Sequence, residues 1–251
     1  MIAFTCSGTG GHIYPAIAVA QYAKDHDKIF IIEKNRLAAD IVPKYGFNCA
    51  YITFKPKHIL TWFSTFSTVF NTFRSHKVNK LISTGGYATI PVVLVAWLLR
   101  IPVTLLEQNT IPGRANRFLA FFASKICITF DYSKQYFKHK HVYLTGNPIR
   151  LSYPQDDLAE KVISLPWNTG KNMLVFGGSQ GAESINTAIN NLKKELNHNA
   201  INVIHIVGKQ YFNTHFNQQS PIIESSTATK TTFVVVDYIE NMELLYQWAD
   251  V

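Results

Sequence analysis

Met1-Ile2-Ala3-Phe4-Thr5-Cys6 runs into Ser7-Gly8-Thr9-Gly10-Gly11-His12, and Pro15 then opens a helical stretch. The same device returns one small domain later. Asn172-Met173-Leu174-Val175-Phe176 runs into Gly177-Gly178-Ser179-Gln180-Gly181-Ala182, again before a helical stretch. A buried strand, a glycine-rich turn and a helix N-terminus form an anion site: the glycines let backbone N–H groups approach a phosphate, and the helix dipole favours its charge. Two such units predict two nucleotide-fold domains facing a shared cleft.

Working outward, strand-like runs at 1–6, 28–33, 49–53, 80–84, 101–107, 126–130 and 142–145 alternate with helical stretches. The alternation predicts parallel sheets built from right-handed crossovers. Gly146-Asn147-Pro148-Ile149-Arg150 and the polar stretch after it read as a linker, giving domains 1–148 and 149–251. Strands resume at 172–176, 201–207 and 232–236, and the chain stops at Val251, where a helix ends and another strand is expected to begin. The second domain therefore reads as incomplete.

Hydrophobic residues make up 47% of the 251 and charged residues 16%, a composition that builds a packed core and excludes disorder. Cys6, Cys49 and Cys127 are odd in number, widely separated and set in apolar runs. They give no disulfide or zinc framework, and a reducing cytoplasm is their simplest home. No cationic leader precedes the first strand, so no signal peptide is expected. The longest apolar run, 90–99, is closed by Arg100 and is too short to span a bilayer. Residues 1–150 carry 18 Lys and Arg against 6 Asp and Glu, whereas 151–251 carry 6 against 10. One basic half points to an anionic ligand or surface met by one domain. The basic residues are scattered without a nucleic-acid-binding motif, and an anionic membrane surface fits the pattern.

His12 sits at the mouth of the first loop. An imidazole there serves either as general base toward a substrate hydroxyl or as a hydrogen-bonding cap of the loop. Ser83-Thr84-Gly85-Gly86-Tyr87 is either a third anion-holding turn or a tight turn alone. Glu107-Gln108-Asn109 ends a strand at its C-terminal edge, where open α/β sheets bind ligands, so Gln108 and Asn109 are placed to hydrogen-bond a sugar. Arg150 is either a surface charge or a residue that closes onto a ligand. Gly8-Thr9-Gly10-Gly11 with Glu33 also fits a dinucleotide fingerprint, but Ile13 occupies the third glycine position. Trp62, Phe63, Phe66, Val69, Phe70 and Phe73 recur at helical spacing, flanked by Lys55, Lys57, Arg74, Lys77 and Lys80. They read as a crossover helix on its sheet or, with Trp97, as an apolar patch ringed by positive charge that rests on a bilayer.

The ordered set of motifs resembles the MurG glycosyltransferases, which transfer N-acetylglucosamine in peptidoglycan synthesis. The resemblance rests on Gly8-Thr9-Gly10-Gly11-His12 with Pro15-Ala16, then Val42-Pro43-Lys44-Tyr45-Gly46, Gly85-Gly86-Tyr87 and Glu107-Gln108-Asn109. Pro112-Gly113 with Asn116-Arg117, Gly146-Asn147-Pro148-Ile149-Arg150, Gly177-Gly178-Ser179-Gln180-Gly181-Ala182 and Ile239-Glu240-Asn241-Met242 complete it. It implies an α/β GT-B fold of two Rossmann-like domains, the first facing acceptor and membrane, the second holding the UDP-sugar. It implies a hexosyltransferase without cofactor or metal, working by inversion on UDP-N-acetylglucosamine. The acceptor would be lipid I (undecaprenyl-diphosphate-linked muramoyl-pentapeptide), the product lipid II, and the place of work the cytoplasmic face of the membrane, held peripherally. By position, Thr9, Gly10, Gly11, Asn109, Arg150, Ser179 and Ile239 would bind substrate, and His12 would be the catalytic base or an acceptor-site residue.

The chain departs from the family at Cys6-Ser7, at Leu106 in place of a common histidine, and past Val251. There the family continues into an Arg-(Ser/Ala)-Gly-Ala turn, an acid-bearing helix and a Gln-rich donor loop. The 251 residues alone are accordingly expected to bind UDP-N-acetylglucosamine poorly and not to transfer it. Rival readings are another GT-B enzyme, such as a UDP-N-acetylglucosamine epimerase, and an inactive fragment that binds a membrane or partner.

Overall fold

The computed structural model describes residues 1–178, 180–199, 201–226 and 231–251. They form two compact units, Met1–Ser152 and Tyr153–Val251.

The first unit alternates strand and helix: β1 (Ile2–Thr5), α1 (Gly10–Tyr22), β2 (Lys28–Glu33), α2 (Leu37–Ile41), β3 (Asn48–Ile52), α3 (Ile59–Ser75), β4 (Lys80–Ser83), α4 (Thr89–Leu98), β5 (Val103–Glu107), α5 (Arg114–Leu119), β6 (Lys125–Ile128) and β7 (Val142–Leu144). The seven strands lie in the order β3-β2-β1-β4-β5-β6-β7, and every neighbouring pair is parallel. Both faces are covered, which is why β1 is buried at all four positions and reads as a continuous apolar run. Successive side chains alternate between two cores. Ala3, Ile29, Ile31, Leu81 and Leu105 pack with α3 and α4. Ile2, Phe4, Phe30, Ile32 and Ile82 pack with α1 and α2. One boundary differs from the sequence reading: α1 begins at Gly10, and Pro15 lies inside it. The glycines that suggested a loop supply the first helical turn.

In the second unit, α6 (Asp157–Ile163) leads to β8 (Asn172–Phe176), α7 (Glu183–His198), β9 (Asn202–Ile206), α8 (Lys209–His215), β10 (Ile222–Ser226), β11 (Thr231–Val236) and α9 (Met242–Trp248). The strand order is β10-β11-β9-β8. Strands β8, β9 and β11 run parallel, and β10 pairs antiparallel with β11. The sequence reading contained no strand at β10, whose polar Glu224-Ser225-Ser226 half masks it.

His205, on β9, is fully buried. Its Nε2 donates to Asn186 Oδ1 (3.1 Å), and Asn186 Nδ2 donates to the Val207 carbonyl (3.0 Å). Burial pushes the imidazole down to about 4 from its usual 6.5. A histidine whose folded pKa is depressed is stabilising above its unfolded pKa, and that contribution drains away as pH falls from about 6.5 to 4. Between pH 7 and pH 4 the parent should lose about 3 kcal/mol more stability than His205→Gln, at 1.36 kcal/mol per pH unit. Urea melts of both proteins check this; equal losses would contradict it.

Candidate functional site

In the first unit the chain moves from β1 outward to β2 and β3, then returns to start β4 on the other side of β1. The order reverses between β1 and β4, and open α/β sheets bind ligands outside the carboxyl ends of the strands at such a switch point. The two loops that leave there are residues 6–9 and 84–88. They touch closely: Thr84 N donates to the Thr5 carbonyl (3.1 Å) and Ser7 N to the Gly85 carbonyl (3.2 Å). Gly86 has φ +96°, and a Cβ on it would lie 2.7 Å from the Ser7 carbonyl oxygen. Glycine is therefore required there by the backbone approach itself.

A pocket of about 540 Å³ opens over these loops, lined by Ser7, Gly8, Thr9 and His12 from one side and Gly86, Tyr87 and Ala88 from the other. Thr9 is the N-cap of α1 without using its side chain as a cap. The Thr9 carbonyl accepts from the N–H groups of His12 (3.0 Å) and Ile13 (3.3 Å). The amides of Gly10 and Gly11 come first in the helix, where N–H groups have no intrahelical acceptor. Gly11 is exposed and Gly10 is buried; free amides at a helix N-terminus suit an anion.

His12, half-buried in the first turn of α1, reaches across to the end of β5, where its Nδ1 donates to Gln108 Oε1 (3.0 Å). An amide oxygen only accepts, so this bond puts the ring proton on Nδ1 and leaves Nε2 with its lone pair. Gln108, expected to meet a sugar, has its side-chain oxygen on the histidine. Gln108 Nε2, Ser83 Oγ, Thr84 Oγ1 and Asn116 Oδ1 are all buried without a hydrogen-bond partner. Such groups are rare in folded proteins.

The Glu107-Gln108-Asn109 segment is organised by Glu107, only 1% exposed. Its Oε1 accepts from Asn109 N (2.9 Å) and Asn109 Nδ2 (3.0 Å). Its Oε2 accepts from Asn116 Nδ2 (2.9 Å) and Gly113 N (3.3 Å). The carboxylate thus folds residues 107–116 around itself. Asn109 is exposed, with its side-chain nitrogen committed to Glu107. Glu33 lines the pocket and accepts from Ser7 Oγ (3.0 Å).

Arg150 is placed within the first unit. Its Nη1 donates to Tyr45 Oη (2.6 Å), and the guanidinium lies 4.0 Å over the Tyr14 ring. Beside it, Leu151 N donates to Gln21 Oε1 (2.8 Å). In the second unit, Ser179 lies outside the described residues. The glycines around it serve close packing. A Cβ on Gly181, at φ +77°, would lie 2.0 Å from the Val207 carbonyl oxygen, and one on Gly177 would lie 2.4 Å from Ala182 N. Gly178, at φ +81°, faces open space. Ile239 follows β11 at the carboxyl edge of that sheet and is buried, only 2% exposed. Among the described residues no cluster of three His, Cys, Asp or Glu side chains is arranged to hold a metal ion.

Arg36 and Arg114 line the pocket as well, and neither was singled out from the sequence. Their signal was position: each stands at a helix start just beyond the carboxyl end of a strand, where the sheet presents its ligand edge.

The glycosyltransferase family 28 N-terminal domain matches residues 2–128, and the C-terminal domain of the same family matches residues 172–251. A UDP-N-acetylglucosamine–N-acetylmuramyl-(pentapeptide) pyrophosphoryl-undecaprenol N-acetylglucosamine transferase of Halothermothrix orenii is 36% identical, over 99% of this chain and 71% of its own length. A protein of the same description from Caldicellulosiruptor saccharolyticus is 39% identical over 77% of this chain and 56% of its own length. Among solved structures, Acinetobacter baumannii MurG aligns with a TM-score of 0.66 at 22% identity, over 99% of this chain and 71% of that one. The UDP-GlcNAc 2-epimerase of Methanocaldococcus jannaschii aligns at 0.64 with 13% identity, over 100% of this chain and 76% of that one, which is likeness of fold. The paired domain matches and the identity over nearly the whole chain place this protein in glycosyltransferase family 28, in its MurG family of N-acetylglucosamine transferases.

Proposed function

We propose that the protein transfers N-acetylglucosamine from UDP-N-acetylglucosamine to a muramoyl-peptide acceptor on undecaprenyl diphosphate. The observation that carries the reading is the pocket at the β1/β4 switch point, with two glycine loops, the start of α1 and His12 at one place. The amides of Gly10 and Gly11, with Thr9, receive an acceptor phosphate, and Arg36 and Arg114 add positive charge at the pocket wall. An acceptor hydroxyl next to His12 Nε2 attacks the anomeric carbon. The new C–O bond forms as the bond to the UDP oxygen breaks, His12 takes the hydroxyl proton, and the configuration inverts. Backbone amides that face developing charge stabilise the leaving diphosphate. Gly178 and the backbone of Ile239, at the carboxyl edge of the second sheet, meet the nucleotide.

We also assign the membrane-facing surface to α3 and its neighbours. Val69 and Phe73 are buried, while Trp62 packs on Phe54 at 4.8 Å between ring centres. That leaves Ile59, Leu60, Phe63 and Phe70 exposed on α3, with Trp97 and Leu98 exposed on the adjoining α4. The aromatic stripe thus divides: one side is core and the other faces out. No described helix is long and apolar enough to cross a membrane, so attachment would be peripheral, by apolar insertion supported by Lys55, Lys57 and Arg74. Binding to anionic vesicles should weaken steeply between 0.1 M and 1 M salt, as the Debye length falls from about 10 Å to about 3 Å. Phe63→Asp should weaken it at every salt concentration. Salt-independent binding, or full binding by the Phe63 variant, would contradict the assignment.

The transfer reading is tested with the gene product that contains these residues, given UDP-N-acetylglucosamine labelled in the sugar and an undecaprenyl-linked muramoyl peptide. Label should pass into the lipid fraction. Label that stays wholly in the aqueous phase would overturn the reading.

A further inference from the structure

Asp156, just before α6, holds three backbone N–H groups on one carboxylate. Its Oδ1 accepts from Ala159 N (3.1 Å) and caps the helix. Its Oδ2 accepts from Glu240 N (2.7 Å) and Asn241 N (3.0 Å), on the turn that follows β11. Two successive amides on one oxygen fix two peptide planes. Because the peptide unit is planar and trans, its carbonyl points opposite to its N–H. Holding the Glu240 N–H toward Asp156 therefore turns the Ile239 carbonyl away from it. The Ile239 side chain is buried beside Val234, Val236 and Leu245, so the turn is anchored through its core and through this carboxylate together.

We propose that Asp156 is a positioning residue for the nucleotide site, fixing the peptide planes at residues 239–241 in the turn that meets the nucleotide. The inference rests on the reading that the backbone at residue 239 meets the nucleotide. Nothing in the local sequence around Asp156 announces the role, because its partners lie 84 and 85 positions away.

Asp156→Ser separates its two tasks. Serine caps a helix about as well as aspartate, but its single oxygen cannot also serve the distant turn. In the parent, here the gene product that carries these residues, Glu240 and Asn241 amides should be protected from hydrogen exchange, and UDP should bind. In Asp156→Ser, exchange at those two amides should speed up while α6 stays protected. UDP should bind about tenfold more weakly, the scale of one hydrogen bond. In turnover, KM for the sugar nucleotide should rise with kcat within about twofold, because uniform binding is what is lost. Unchanged exchange at Glu240 and Asn241 would refute the clamp. Faster exchange with UDP affinity within about twofold of the parent would refute the positioning role. A parent that does not bind UDP would instead refute the nucleotide reading on which the proposal rests, an outcome separate from the other two.

Discussion

His12→Ala should abolish most transfer while leaving sugar-nucleotide binding nearly intact. The residue lines the pocket with Nδ1 donating to Gln108 (3.0 Å), which leaves Nε2 of the neutral ring able to accept a proton. Proton transfer by a positioned side chain contributes about 10²–10⁴-fold, so kcat should drop by that factor. Nucleotide affinity, which this reading places on the second unit, should change by less than about threefold. Steady-state kinetics and calorimetry on the same preparations check both halves. Turnover within about threefold of the parent would leave His12 only its capping role. Gln108 enters the same test: Gln108→Glu keeps an acceptor opposite Nδ1 and should retain far more activity than Gln108→Leu, which removes it.

Glu107→Ala should produce the largest loss of stability. The carboxylate accepts four hydrogen bonds from Asn109, Gly113 and Asn116 and is almost fully buried. Each orphaned buried donor costs about 1–3 kcal/mol, and because Asn109 is exposed, water recovers part of its share. A net loss of roughly 3–5 kcal/mol follows, comparable to stranding one member of a buried charged pair. For a chain of this length that is a drop of about 6–20 °C in Tm, at about 2–4 °C per kcal/mol. Glu107→Gln should recover little, because its new NH₂ group would face N–H donors. Thermal melts of the three proteins decide it, and a Glu107→Ala Tm within about 2 °C of the parent would contradict the account.

Much of this was legible in the chain. Buried parallel strands carry apolar runs, so β1, β2, β4 and β5 stand out, and the half-buried edge strand β8 is apolar from Met173 to Phe176; glycine turns follow β1 and β8. His12 was found because it directly follows such a turn. What stayed hidden is long-range. Period alone cannot say which aromatics of α3 face the core, since Phe66 and Phe70 differ by one turn and yet have opposite surroundings. Glu107 read as part of a sugar-binding motif, whereas its four partners make it the organiser of that segment. Arg150 read as either a surface charge or a residue that closes on a ligand, and the structure stacks it on Tyr14. The glycines at 177 and 181 read as phosphate-binding, and close backbone packing against Ala182 and Val207 already requires them. Asp156 could not be read at all without knowing that β11 brings residue 240 to it.

In the proposed reaction the pocket at the β1/β4 edge presents an acceptor hydroxyl to a sugar nucleotide. The most direct measurement is release of UDP from UDP-N-acetylglucosamine by the gene product carrying these residues, with and without the undecaprenyl-linked muramoyl peptide. The account predicts release that depends on acceptor and falls by about 10²-fold or more in His12→Ala. UDP release, or conversion of the sugar, that proceeds equally well without acceptor would contradict it.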